Sequence, residues 1–189
     1  MCIRDSSKAS SLDASDRKVL GSSMPTWYGG WNNTVSYKNF DLNVFFRFSG
    51  GNKIMNASRQ SALFNMDFSN NGTEILGRWI SPEQPGDGMT PKIGYGDASS
   101  LFNDGYTDSH FVESGNYLKL STLALGYTLP KAVVSKLNMT KIRFYVQGQN
   151  LLTITGYSGL DPETNSRLGV DWNGMPQQRS FTFGANITF

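Results

Sequence analysis

The sequence predicts an all-β protein: an antiparallel transmembrane β-barrel segment, with about five strands of a larger barrel, long extracellular loops and a possible short helix. Aromatic residues make up 13% of the chain, glycine occurs 20 times and only 17% of residues are charged, a composition typical of β-structure. Five stretches alternate apolar and polar residues. Their connections alternate short and long, as in outer-membrane barrels with short periplasmic turns and long exterior loops.

The N-terminal region contributes little to this prediction. Residues 1–6 (MCIRDS) match the translation of a sequencing adapter, and we interpret them as an artefact; they contain the single cysteine, Cys2, so redox arguments have no basis. Residues 7–25 are predicted as loop, and 26–189 as the barrel part. The chain has no run of about 18 apolar residues, so no transmembrane helix is predicted, and no signal peptide is visible. The net charge is +2 with scattered basic residues, which disfavours a nucleic-acid partner.

The first two predicted strands form a hairpin. Residues 27–37 and 40–48 alternate between two faces, and Lys38 with Asn39 is left as a two-residue turn. Tyr37 and Phe40 are then opposite each other. The apolar face is formed in the first strand by Trp27, Gly29, Trp31, Asn33, Val35 and Tyr37, and in the second by Phe40, Leu42, Val44, Phe46 and Phe48.

Three more strands follow a long stretch without periodicity. Residues 50–115 carry no strand pattern, although 52–68 has the composition of a short helix. Strands are predicted over 117–129, over 141–155 and over the last nine residues, 181–189. The connection 130–140 is short enough for one or two helical turns, and 156–178 is a second long polar loop.

The third predicted strand changes phase in its middle. Leu118 and Leu120 occupy even positions, whereas Leu123 and Leu125 occupy odd ones. The change at 121–122 predicts a β-bulge. The alternative is that the residues near 117 lie above the membrane, where neither face needs to be apolar.

The strand charges lie on one face. Asp41 and Arg47 share a face opposite Leu42 and Phe46, and Lys119 is opposite its leucine neighbours. In the fourth strand the polar face holds Lys141, Arg143, Gln147 and Gln149. An apolar face without charge is expected against lipid, where Arg or Lys near the midplane costs about 2–4 kcal/mol.

A soluble β-sandwich would show the same alternation, so alternation alone does not separate the two classes. Large side chains on the apolar faces favour the membrane. So do strands of about ten residues, enough to cross at a tilt. Aromatic residues near strand ends, where interfacial girdles belong, complete the case: Trp27, Tyr37, Tyr127 and Phe189.

Ordered motifs resemble one family. "ESGNYLKLSTLALGYTLP", "IRFYVQGQNLLTITGYSGLDPE" and the final "RSFTFGANITF" are similar to the C-terminal barrel region of SusC/RagA-type TonB-dependent transporters, and residues 13–56 are similar to the segment before it. The resemblance implies a Gram-negative outer-membrane importer of large nutrients, oligosaccharides or peptides, that pairs with a SusD-like surface lipoprotein. It also implies a full barrel of about 22 strands around a plug. The plug and the TonB-contacting N-terminal region would then be missing from this chain.

The closing strand receives a specific role from the resemblance. Phe181, Phe183 and Ile187 would face outer-membrane lipids, and the terminal Phe189 would be read by the barrel-assembly machinery. On this interpretation Thr182 and Asn186 face the barrel lumen.

Candidate contact residues are weighed against ordinary structural roles. Arg47, Arg143, Gln147 and Gln149 are candidate lumen contacts for a substrate, although the glutamines can equally bond neighbouring side chains. Asp161 and Glu163, in "LDPE", are candidate loop contacts, but Asp-Pro is also a turn signature. The loop aromatics can stack on sugar rings or pack on one another: Trp79, Tyr95, Tyr106, Tyr157 and Trp172.

We predict no enzyme, cofactor or metal site. His110 is the single histidine and has no neighbouring ligand pattern, so we interpret it as a loop residue. Asp13 and Asp16 resemble the end of an Asp-rich family loop, without the first half that calcium binding would need. Two other functions remain as alternatives: a secreted carbohydrate-binding β-sandwich, and a passive porin or adhesin barrel.

Overall fold

The computed structural model of the chain describes residues 18–63, 70–90, 92, 109–163 and 169–189, which form two sheets. In chain order the strands are β1 (Trp27–Tyr37), β2 (Phe40–Gly50), β3 (Lys53–Asn56), β4 (Val112–Ser114), β5 (Tyr117–Thr128), β6 (Lys141–Thr155), β7 (Val170–Asp171) and β8 (Ser180–Thr188). The larger sheet has five strands in the order β1-β2-β5-β6-β8, and every neighbouring pair in it is antiparallel. The smaller sheet has three strands in the order β4-β3-β7.

The register of the larger sheet confirms the predicted faces. Tyr37 is paired with Phe40 across the Lys38–Asn39 turn, and Phe40 is paired in turn with Tyr127. Directly opposed residues of an antiparallel pair lie on the same face. One face is therefore a continuous apolar surface across all five strands, and it includes Leu42, Leu125, Val146 and Phe183.

The predicted β-bulge is confirmed in β5. Phe45 pairs with Thr122 and Phe46 with Leu120, which leaves Ser121 without an opposite residue in β2. A single extra residue shifts the side-chain alternation by one, which explains the phase change of the leucines. The neighbouring strand β6 has an irregularity at the same level, where Asn150 takes a left-handed backbone with φ 52°.

The five strands predicted for the barrel segment are those of the larger sheet, and the long connections add the three short strands of the smaller sheet. β3 pairs antiparallel with β4 and parallel with β7. These strands are two to four residues long, too short for a recognisable alternation. The helical turns are Arg59–Leu63 (π), Thr73–Gly77 and Ser109–Phe111 (both 3₁₀), and α1 (Lys131–Val134), which continues as a 3₁₀ turn at Ser135–Leu137.

Among the described residues, Ile142 of β6 is the one buried apolar residue of the larger sheet, and most of the apolar core is formed by the long connections. Ile54, Ala57, Phe111 and Tyr157 are buried there, at 0–5% exposure. In contrast, Phe183 on the apolar face of β8 is 78% exposed. A soluble domain would bury such a surface. Among the described helices, none has the length and hydropathy needed to cross a bilayer.

The C-terminus departs slightly from its prediction. β8 covers Ser180–Thr188, so Phe189 follows the strand and does not end it, and its side chain is 83% exposed. Phe181, Phe183 and Ile187 lie on the apolar face, as the register with β6 requires.

Candidate functional site

The polar face of the larger sheet gathers the charged strand residues. Arg143 of β6 reaches across β5 to Asp41 of β2, where its Nε donates to Oδ1 at 2.9 Å. Gly126 makes this reach possible, since a Cβ at that position would overlap the Arg143 guanidinium. The aromatic ring of Tyr145 also lies near the guanidinium, 5.3 Å from its carbon to the ring centroid.

A second group of charges binds the "LDPE" segment to this face. The Lys119 ammonium donates to both carboxylate oxygens of Asp161, at 3.1 and 3.0 Å, and also to Glu163. Glu163 accepts from the Arg47 guanidinium at 2.9 Å and from the Tyr117 hydroxyl at 2.7 Å. We call these five residues the anchor network.

The β-bulge contributes to the anchor network. Ser121 is the extra residue of β5, and its hydroxyl accepts from Arg47 Nε at 2.9 Å. Arg47 is therefore held at both ends of its guanidinium. This fixes its direction towards the loop.

The buried ion pairs of the anchor network attach the "LDPE" segment to the larger sheet. The Lys119 side chain is 1% exposed and that of Asp161 is 6% exposed. Burying charges this deeply is costly unless they are paired and hydrogen-bonded. Two cations face two carboxylates, so the network is neutral as a whole. The residues that sequence reasoning singled out separately, Arg47, Asp161 and Glu163, thus lie together.

Sequence reasoning missed Lys119 and Tyr117 as members of this network. Lys119 pairs with Arg47 across β2 and β5. The sequence signal available for this network was a charged face with Lys119 and Arg47, together with the carboxylates of Asp161 and Glu163 two residues apart. The pairing itself spans 42 residues and no local pattern contains it.

The remaining polar face is lined by amides and hydroxyls. Asn43 Nδ2 donates to Asn32 and to Thr34, at 2.9 Å in each case. Gln147 lies opposite Ala124 on one side and Thr182 on the other. Gln149 is exposed and accepts from the Ser180 hydroxyl at 3.4 Å. Uncharged hydrogen-bonding groups of this kind suit a polar, neutral ligand.

The aromatic residues at strand ends lie at both ends of the apolar face. Tyr37 and Tyr127 are at the end with the short turns, and the Tyr127 ring is 4.7 Å from that of Phe40. Trp27 is at the opposite end, 6.2 Å from Phe48 between ring centroids.

The long connections are held by a separate polar cluster. The Glu113 carboxylate accepts from the backbone N–H of Ser158 at 2.7 Å and from its hydroxyl at 2.6 Å. The same carboxylate pairs with Arg59 at 3.3 Å. Arg59 also pairs with Glu74, whose hydrogen bonds raise the pKa of the guanidinium. These contacts join distant parts of the connection between β2 and β5 to each other and to the connection that follows β6.

The loop aromatics differ in availability. Tyr157 is buried and its hydroxyl donates to Asp171 at 2.6 Å, and burial raises the pKa of the phenol. In this position Tyr157 packs within the protein and offers no face to a ligand. Trp79 is 36% exposed with the Lys92 ammonium 5.9 Å from its ring centroid, whereas Trp172 is 71% exposed.

The other loop candidates add no site. The His110 ring meets Phe111 edge to face at 4.9 Å. Tyr95, Tyr106, Asp13 and Asp16 lie outside the described residues. Within the described part of the chain, no group of three or more His, Cys, Asp or Glu side chains is arranged to hold a metal ion.

Comparison with known proteins places this sheet in context. No protein-family model matches the chain. TonB-dependent receptor P3 of Formosa agariphila is 32% identical to it over 188 residues, and TonB-dependent receptor P26 of the same organism is 31% identical over 190 residues. Both alignments cover 94% of this chain and 18% of the relative. TonB-dependent receptor SusC of Bacteroides thetaiotaomicron is 25% identical over 194 residues, which is 94% of this chain and 16% of SusC.

Solved structures give the same result. The RagAB peptide transporter superimposes with a TM-score of 0.80 at 26% identity, over 94% of this chain and 19% of that chain. The RagAB peptide importer in its closed-closed state superimposes with a TM-score of 0.77, over 91% of this chain and 18% of that chain. The chain spans less than a fifth of the length of the receptors P3, P26 and SusC. In sequence and in the course of its strands the chain belongs to the SusC/RagA type of TonB-dependent receptors, and its five-stranded sheet is a segment of their transmembrane β-barrel.

Proposed function

We propose that this chain is the C-terminal part of the barrel of an outer-membrane importer of large nutrients, driven through TonB. One observation carries the proposal. The five-stranded sheet exposes a continuous uncharged apolar face and collects all of its strand charges on the other face. A single sheet with one face for lipid and one for a polar interior suits a barrel wall.

The cargo and the partner follow from the relatives. RagAB is described as a peptide importer, which supports peptides as one class of cargo, and oligosaccharides are the other class that the sequence resemblance implies. A SusD-like surface lipoprotein would cover the barrel, and the plug and TonB-contacting region would be contributed by a longer protein. Transport without chemical change of the cargo makes the protein a non-enzyme.

The candidate residues take distinct roles in this proposal. Gln147 and Gln149 belong to the uncharged lining and are the better candidates for cargo contact. Arg47 and Arg143 are engaged in ion pairs and instead keep the wall in shape. Trp172, which is 71% exposed, and Trp79 are the loop aromatics open to a cargo or to the lid.

Phe189 has a role in assembly rather than in transport. The closing strand presents Phe181, Phe183 and Ile187 to lipid, and Phe189 projects beyond it. We infer that these four residues form the signal that the barrel-assembly machinery reads. The exposed terminal ring supports this role.

The first test is detergent dependence. Residues 13–189 are expected to need detergent to remain dispersed, because the apolar face has no protein partner. A monomer that purifies in plain buffer would show that the importer proposal is wrong and would favour the secreted β-sandwich. The exposure of Phe183 already argues against a sandwich, which would bury this face.

The second test separates active import from passive diffusion. Cells carrying the whole receptor are expected to take up oligosaccharides or peptides, and to lose this uptake when TonB is deleted. Uptake that persists without TonB, or an upstream reading frame without a plug domain, would favour the porin or adhesin alternative.

A further inference from the structure

We propose that the end of the five-stranded sheet with the two short connections binds the headgroups of anionic phospholipids, with an acyl chain lying on the adjacent apolar face. We call this end the basic edge and define it by three lysines, Lys38, Lys131 and Lys136. The orientation of the basic edge towards the periplasmic leaflet rests on the proposed function.

The basic edge has an excess of positive charge. All three lysines are exposed. Among the described acidic side chains, Asp41 is the one within this end of the sheet, and it is paired with Arg143. The other described acidic side chains lie in the long connections. Exposed ammonium groups attract anionic lipid surfaces.

Lys38 places its charge where the apolar face ends. Its Nζ is 5.3 Å from the centroid of the Tyr37 ring, and Tyr37 belongs to the apolar face. Phe40 and Tyr127 follow on the same face, with 4.7 Å between their ring centroids. An ammonium group bordering a row of aromatic rings has the arrangement expected at the level of lipid headgroups.

The second connection supplies further apolar contacts at the same level. Val133 in α1 and Leu137 in the 3₁₀ turn that follows it are 46% and 53% exposed. Val134 between them is 2% exposed and fixes the turn to the protein. Exposed apolar residues beside lysines are typical of segments that lie in the membrane interface.

A shallow groove on the apolar face continues from the basic edge. It has a volume of about 290 Å³ and is lined on three strands by Phe40, Leu125, Tyr127, Phe144 and Val146. The lining side chains are apolar, which suits a hydrocarbon chain. Phe40 belongs both to the groove and to the aromatic row beside Lys38.

The combination identifies a lipid rather than another anion. Free phosphate would satisfy the lysines but would leave the groove and the exposed Val133 and Leu137 in water. An acidic protein would likewise have no use for a groove within the lipid-facing surface. A phospholipid with a negative headgroup matches both the charge and the hydrocarbon surface.

The test compares lipid retention by the whole receptor that carries this segment. Receptor in detergent micelles is titrated with phosphatidylglycerol or with phosphatidylcholine of the same acyl chains, and bound lipid is counted by native mass spectrometry. The variant K38Q/K131Q/K136Q removes three charges of the basic edge. The matched control K18Q/K53Q/K92Q removes three exposed lysines elsewhere.

We expect wild type and control to retain phosphatidylglycerol in preference to phosphatidylcholine. Each lysine removed from the basic edge should weaken that retention about fivefold, and all three about a hundredfold. Equal retention by wild type and the basic-edge variant would overturn the proposal. So would an equal loss in the control, which indicates general charge attraction, or displacement of the lipid by inorganic phosphate.

Failure of the proposed function would be seen separately. Far-ultraviolet circular dichroism of each variant in detergent is expected to show the same β-structure. A receptor that is β-folded and active in uptake but shows no lipid preference would overturn the lipid site alone. A receptor without detergent-stable β-structure would overturn both proposals.

Discussion

Replacing Lys119 with methionine is expected to release the "LDPE" segment from the sheet. Methionine keeps an unbranched side chain, one atom shorter than that of lysine, and removes the charge. Asp161 then loses the ammonium that bonds both of its carboxylate oxygens, while Glu163 keeps Arg47 and Tyr117. The perturbation therefore falls mainly on one carboxylate whose side chain is 6% exposed.

The magnitude follows from burial. Removing one partner of a buried ion pair costs about 3–5 kcal/mol when the other charge must stay buried. Here the loop segment can lift and let water reach Asp161, so the cost cannot exceed the free energy that docks the loop. We expect the free energy of loop docking to fall by about 2 kcal/mol, which corresponds to a roughly 30-fold larger equilibrium constant for opening of the loop.

Hydrogen exchange measures this directly. The backbone N–H groups of Glu163 and Gln177 both donate to Asp161, at 3.0 and 3.4 Å, and should exchange faster in Lys119→Met. The control Glu74→Gln disrupts the Arg59–Glu74 pair, whose Glu74 side chain is 45% exposed, and should cost less than about 0.5 kcal/mol.

A double variant provides the decisive comparison. Lys119→Met combined with Asp161→Asn removes both charges, so it should be less damaging than the sum of the two single changes. Unchanged protection in Lys119→Met, or strictly additive losses, would refute the view that this buried pair holds the loop.

Three further predictions concern the connections and the C-terminus. Gly86 and Gly88 both have left-handed backbones, at φ 66° and 73°, but a Cβ at Gly86 would overlap backbone carbonyls whereas one at Gly88 meets open space. Gly88→Ala should therefore cost about 1 kcal/mol and Gly86→Ala clearly more, measured by limited proteolysis of this connection; equal sensitivity would contradict the steric reason. Backbone N–H groups of the following turn hold the pKa of Asp87 below its usual 3.8, so its contribution to stability should be complete above that pH and lost as the pH falls through the lower folded value. Trp79 fluorescence against pH checks this, and Asp87→Asn should abolish the acid transition. Deleting Phe189 from the full-length protein should impair membrane insertion, so normal surface levels would refute its role as an assembly signal.

The larger sheet was predictable from the sequence because its strands are long and locally patterned. The hairpin around Lys38 follows from the alternation. The phase change near Ser121 was also visible in the residues, but only the register of β2 with β5 decides that it is a bulge. The three short strands were not predictable, because pairs such as Met55 with Val170 depend on contacts distant in sequence. The anchor network was not predictable for the same reason. Its residues could be assigned to a strand face or a turn one by one, but the contact between Lys119 and Asp161 depends on the tertiary fold.

The small sheet has a consequence for how such receptors diversify. β3 begins just after β2, β4 ends just before β5, and Lys53 pairs with Ser114. The two ends of the long connection are thus tied together at its base, independently of what lies between Asn56 and Val112. The entropic cost of closing a loop grows only by about 0.6 kcal/mol for each doubling of its length, so insertions in this connection destabilise the fold little. Evolution can therefore lengthen or rewrite this stretch freely, while the pairing of β2 with β5 in the wall keeps its register.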